Sequence, residues 1–144
     1  MPKYETHLVF NLIAFSLLSY LVLKFNFIDL IGLAVIFVGF LFGTVYITPD
    51  LDTKSKPYNR APHLWYIYRV LMPHRGNSHE ISGIFIRLIY LLIIILGIAI
   101  LIGGLDILYT IYGYAILIKP IYYLWLILGI VIGNFLHILL DWMT

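Results

Sequence analysis

Leu105-Asp106-Ile107-Leu108-Tyr109-Thr110-Ile111-Tyr112-Gly113-Tyr114-Ala115-Ile116-Leu117-Ile118 is the stretch on which the fold turns. It is apolar but only 14 residues long. As a helix it rises about 21 Å, short of a hydrocarbon core about 30 Å thick. Its length therefore predicts that it stays interfacial, re-entrant or packed beside a bundle. If it does not cross, the apolar run that follows must end on the same side as the polar middle of the chain.

Four longer apolar runs surround it, at about residues 7–25, 28–47, 79–103 and 121–142. Each approaches the roughly 20 residues that a spanning helix needs. Of the 144 residues, 62% are hydrophobic and 11% charged, and the mean hydropathy is +1.00. A soluble domain carries about 25% charged residues, so the bilayer is the solvent this composition suits. The chain is expected to be one all-α membrane domain, a polytopic bundle of about four spanning helices with short interfacial helices. The first run follows a single basic residue, Lys3, and lacks a small-residue cleavage site, so it is expected to be retained.

A net charge of +2 gives no bulk argument for nucleic-acid binding. With no cysteine, thiolate metal sites, disulfides and cysteine nucleophiles are excluded. No Gly-x-Ser-x-Gly elbow and no phosphate-binding glycine loop is present.

Residues 49–80 form the polar segment, with Asp50, Asp52, Lys54, Lys56, Arg60, Arg69, Arg75 and Glu80. Pro49 disfavours helix at Thr48 and should end the second span. His63 to Met72 reads as a short amphipathic helix with Trp65, Tyr66 and Tyr68 as headgroup anchors. Asn77 and Glu80 have the spacing of a capping box. With four crossings, Lys3, Lys54, Lys56, Arg60, Arg69, Arg75 and Arg87 share one face, against Lys24 and Lys119 on the other. That face is then cytoplasmic, as are both termini, in a multi-pass protein of the cell membrane.

On the same face the chain gathers His7, Asp50, Asp52, His74, His79, His137 and Asp141. Ionisable groups at membrane depth need partners, and a metal is one. His137 and Asp141, four apart, share a helix face. Asp50 and Asp52, if extended, point the same way. His74 and His79 flank Gly76, which can turn the chain. His and Asp ligands suit a divalent ion, zinc first and iron or manganese as alternatives, with one or two ions. Each piece also has a plainer reading: a solvated turn, a headgroup loop, a structural histidine. Arg87 can either snorkel or face inward.

Thr6-His7, Thr48-Pro49-Asp50-Leu51-Asp52, Pro73-His74-Arg75-Gly76-Asn77-Ser78-His79, and Gly133 with His137 and Asp141 together resemble the YdjM-like membrane-bound metal-dependent hydrolase family. They resemble more closely a sister family described only as metal-binding membrane proteins. The resemblance implies that the seven residues are metal ligands. More distantly, the set is similar to the zinc-dependent phospholipase C and P1-nuclease group. Those enzymes ligate through a mature N-terminal amine; here Met1 lies six residues before His7, so one or two ions are expected rather than three.

The function expected is a hydrolase of phosphoesterase type acting on a lipid or lipid-linked phosphate at the cytoplasmic face. Asp50 or Asp52 would bridge ions or act as general base, and Arg75 would pair with phosphate. Lys54, Lys56 and Arg60 could draw in an anionic phospholipid. The alternatives are a non-catalytic metal staple and, less favoured, a metal or proton transporter using Arg87, His137 and Asp141.

Overall fold

A computed structural model of the chain describes residues 4–72 and 79–144. These form helices and turns, with no strand among the described residues. The order is α1 (Tyr4–Lys24), α2 (Leu30–Val45), a 3₁₀ turn (Pro49–Asp52), α3 (Lys56–Arg60), α4 (Pro62–Leu71), α5 (Ile81–Ala115) and α6 (Pro120–Met143). Four are long and apolar enough to cross a membrane: α1, α2 with the turn behind it, α5 and α6. The all-α architecture expected from composition is the one found.

Local chemistry sets the boundaries. Asp29 caps α2 by accepting the Gly32 N–H at 2.8 Å. Prolines stand in the first turns of α3, α4 and α6, where a missing N–H costs nothing. Glu80 is itself the N-cap residue of α5 and makes no side-chain cap bond, so it is not the third-residue partner of a capping box. Asn77 lies outside the described residues.

Leu105 to Ala115 form a second helical stretch, which follows the first part of α5 across a break at Gly104, and Ile116–Ile118 turn toward Pro120. Gly104 has φ 62° and ψ −157°, a conformation nearly restricted to glycine, and this redirects the helix.

The tightest packing joins α2 to α6. A Cβ on Gly39 would lie 2.1 Å from the Leu126 carbonyl oxygen, and one on Gly129 2.1 Å from that of Ile36. Gly43 and Gly133 make similar approaches to Ile130 and to Phe40 and Thr44. Each helix thus offers a Gly-x-x-x-Gly face, and backbone meets backbone. Helix α1 lays His7, Asn11 and Phe15, four apart, against this pair. The Phe15 ring stacks on Phe40 at 4.2 Å, and Asn11 Nδ2 donates to the Gly133 carbonyl at 3.0 Å.

Helix α4 corrects a second expectation. Of its three aromatic anchors only Tyr66 is exposed; Trp65 and Tyr68 are buried with Ile47, Leu51, Tyr58 and Ile130. Tyr90 of α5 donates to the Leu64 carbonyl at 2.6 Å and holds α4 against the bundle. The aromatic rings cover the 3₁₀ turn and fix it in place.

Candidate metal centre

Six described residues from four places in the chain meet at one end of the bundle. His7 comes from the first turns of α1, Asp50 and Asp52 from the 3₁₀ turn, His79 from just before α5, and His137 and Asp141 from the last turns of α6. The close α2–α6 approach is what carries His137 to the turn, because Gly133 lies one helical turn before it.

Asp50 and Asp52 do not point the same way. The segment is a 3₁₀ turn rather than extended chain, held by Thr53 N–H and the Ser55 hydroxyl, both donating to the Asp50 carbonyl. Each carboxylate therefore reaches a different histidine. Asp50 Oδ1 lies 3.5 Å from His137 Nε2, and Asp52 Oδ2 lies 3.6 Å from His79 Nε2. Asp141 divides its two oxygens: Oδ1 is 3.3 Å from His7 Nε2, and Oδ2 is 3.1 Å from His79 Nδ1 and 3.8 Å from His137 Nε2. The His7 and His137 rings stack at 3.7 Å and 5°.

Ligand atoms of His7, His137 and Asp141 all lie within 4.8 Å of one another. Bonds of about 2.0–2.2 Å space the donors around a zinc ion by roughly 3–4 Å, so little contraction is needed. The donor set also has unused capacity. Nδ1 of His7, both ring nitrogens of His137 and Oδ1 of Asp141 are buried without a hydrogen-bond partner among the described residues. Buried donors and acceptors are seldom left so, and a cation that takes up lone pairs would satisfy several together. The residues present fit a divalent ion.

The centre is closed beneath and open at one edge. The His7 and His137 side chains are 3% and 1% exposed, while those of Asp50 and His79 are 20% and 13% exposed. At that edge, burial pushes the His79 imidazolium down, and hydrogen bonds to Asp141 and Asp52 outweigh it, raising its pKa from 6.5 to about 9.

Of the seven ligands expected, the structure brings these six together. His74 lies outside the described residues, as does Arg75. His63 is exposed on α4.

A second polar layer lies one turn deeper and was not anticipated as a unit. Arg87, fully buried, turns inward and donates to Asn134 Oδ1 at 2.8 Å, with the Tyr68 hydroxyl at 3.5 Å. Asn11 donates to Thr44 Oγ1 at 3.3 Å. The signal was present in the spacing: Asn11 is four residues after His7, and Asn134 three before His137, so each shares a face with a candidate ligand. The paired Gly-x-x-x-Gly motifs were equally readable.

Residues 2–144 match the family described as "Uncharacterized metal-binding protein (DUF2227)". A curated relative from Aquifex aeolicus (strain VF5), described as "Uncharacterized protein", is 39% identical over 59 residues, 38% of this chain and 42% of that protein. The similarity thus spans less than half the length of that relative. No solved structure matches the chain.

Proposed function

The chain belongs to this family of metal-binding proteins, and from that premise we propose that it is a membrane-embedded metal-dependent hydrolase. Its substrate is a phosphoester of a lipid or lipid-linked molecule, taken at the cytoplasmic face. The resemblance to the YdjM-like hydrolases supports the same reading.

The observation that carries it is the divided carboxylate of Asp141. One oxygen faces His7 and the other faces His79 and His137. A carboxylate so placed suits two neighbouring ions, one near His7, His137 and Asp50, the other near His79 and Asp52. One or two divalent ions fit, zinc first among them. When bound they would supply Lewis-acid polarisation of phosphoryl oxygen and acidify water. Asp50, the more exposed carboxylate, is placed to receive a proton at the open edge. Asp52 and Asp141 fix the His79 ring. Arg75, between His74 and His79 in sequence, is the proposed fork for phosphate oxygens. Lys54, Lys56 and Arg60 would favour an anionic lipid surface.

The topology belongs to the proposal. His79 touches Asp141, so α5 begins where α6 ends. The 23 residues from Ile81 to Gly103 rise about 34 Å, and α6 returns over a similar length. The segment after Gly104 then starts and finishes at the far end, which supports the reading of four crossings with both termini on the side of the centre.

The burial of His7 and His137 also supports a staple that ties α1, the 3₁₀ turn and α6 without catalysis. Elemental analysis of purified protein comes first, wild type beside His137→Ala and Asp50→Ala. Absence of transition metal from the wild type would sink both readings. With metal present, turnover of phosphoester or lipid-phosphate substrates by wild type, lost in Asp50→Ala, separates the enzyme from the staple.

A further inference from the structure

Arg87 is a guanidinium with no exposed surface, in a helix that is apolar on either side of it. Such a group is expensive in a membrane and marks function more often than packing. It donates to Asn134 and lies against the Tyr68 hydroxyl, both neutral groups. Asn134 stands three residues before His137 on the same face of α6, where side chains are about 5–6 Å apart at Cβ. The guanidinium therefore sits directly beneath the metal centre, within electrostatic reach of Asp52 and Asp50.

We propose that Arg87 is the fixed charge that matches the metal-loaded centre to a dianionic phosphate group, a phosphomonoester in preference to a diester. The inference rests on the two-ion form of the proposed function. Among the described residues the centre holds three carboxylates, Asp50, Asp52 and Asp141. Two divalent ions outweigh these carboxylates by one charge, and Arg87 adds a further, buried positive charge, whose attraction for a dianion is about twice that for a monoanion at the same distance. Arginine stays protonated in proteins, so this charge does not depend on pH. Its burial keeps it unscreened, and its distance from the open edge means that it acts through its field rather than by contact.

Two effects come apart here that a merely structural residue would move together. A positive charge beneath the centre opposes cation binding and favours anion binding. Loss of that charge should therefore weaken phosphate while leaving zinc binding equal or tighter.

The experiment uses the full chain in lipid nanodiscs, loaded with zinc, at pH 8, where a phosphate monoester is dianionic. Elemental analysis is made first: wild type without zinc would overturn the metal reading on which this inference stands. With zinc present, wild type should bind inorganic phosphate at least about tenfold more tightly than dimethyl phosphate. Equal affinities would overturn the inference without any variant. Arg87→Gln should lose at least about tenfold in phosphate affinity with zinc retained, and Arg87→Lys, which keeps the charge, should recover most of it. Unchanged phosphate binding in Arg87→Gln, or loss of zinc and phosphate together, would refute the charge role. Nanodiscs containing phosphatidic acid, compared with phosphatidylglycerol, distinguish the sources: competition by phosphatidic acid against phosphate places the dianion on a lipid, and its absence places it on a soluble phosphate.

Discussion

Consider Gly129→Ala. The added Cβ would lie 2.1 Å from the carbonyl oxygen of Ile36 and 2.7 Å from the Phe40 nitrogen. Both are backbone atoms of α2, so no side chain can swing aside. Ordinary contact begins near 3.4 Å, and α6 must therefore retreat by about 1.3 Å. Overpacking of this kind costs about 1–3 kcal/mol, and a rigid helix pair belongs at the upper end. The site should suffer more than the fold. His137 rides on α6 and Asp50 on the turn behind α2, whereas metal–ligand distances tolerate about 0.2 Å. Gly129→Ala should thus lower the thermal midpoint in detergent and cut zinc occupancy severely. Gly97→Ala is the control: its Cβ meets nothing within 4 Å, and it lies in the same class of apolar helix. It should leave both readouts unchanged or slightly improved, because alanine favours helix by up to about 1 kcal/mol. Calorimetry and elemental analysis of the two variants decide the matter. Full zinc occupancy in Gly129→Ala, at an unaltered midpoint, would refute the claim that the glycine faces set the geometry of the centre.

Asp141→Asn keeps the size of the side chain and removes its charge, and should reduce zinc stoichiometry by at least one ion; an unchanged ion count would remove Asp141 from the site. In the metal-free protein the His79 pKa is raised from 6.5 to about 9, so its bonds to Asp141 and Asp52 stabilise the fold fully below pH 6.5 and are lost as pH rises through 9. Zinc must displace that proton, so zinc affinity measured by chelator competition should rise about tenfold per pH unit toward 9 and then level off; a flat profile from pH 7 to 9 would contradict it. Gly104→Ala forces a Cβ into φ 62° and ψ −157° and should cost about 1–3 kcal/mol, read as a lowered thermal midpoint with zinc retained; equal stability would mean that the break is not needed.

Spans were legible because they rest on local composition: a run of about 20 apolar residues reads alike in any context. The candidate ligands on helices were legible too, since His137 and Asp141 are fixed on one face by a four-residue interval. Asp50 and Asp52 were misread in conformation because the backbone there is decided by Thr48, Thr53 and Ser55 bonding around the turn, and two aspartates two apart fit either geometry. Trp65 and Tyr68 were misplaced for a related reason. An aromatic at the membrane boundary can face outward to headgroups or inward to a core, and the choice was made by Leu51 and Ile47, which are distant in sequence. Sequence alone does not decide whether Arg87 snorkels or faces inward, because its inward partner, Asn134, sits on another helix.

The metal site and the topology constrain one another through a single contact. Read from sequence, the seven ligands meet only if Leu105 to Ile118 stays on one side, and its shortness was the sole ground for that. His79 against Asp141 at 3.1 Å is an independent ground, because it joins the start of α5 to the end of α6 without reference to any bilayer. Given that contact, a crossing by residues 105–115 would require α6 to begin on the side where it must end. Its 24 residues, about 36 Å of helix, would then carry Asp141 away from His79. The break at Gly104 fits the same requirement, since α5 is 35 residues long and, if straight, would extend about 52 Å, far past the far boundary. Bending at a glycine would let the surplus lie along that boundary. Asp106 and Lys119, which bracket the segment, are both exposed.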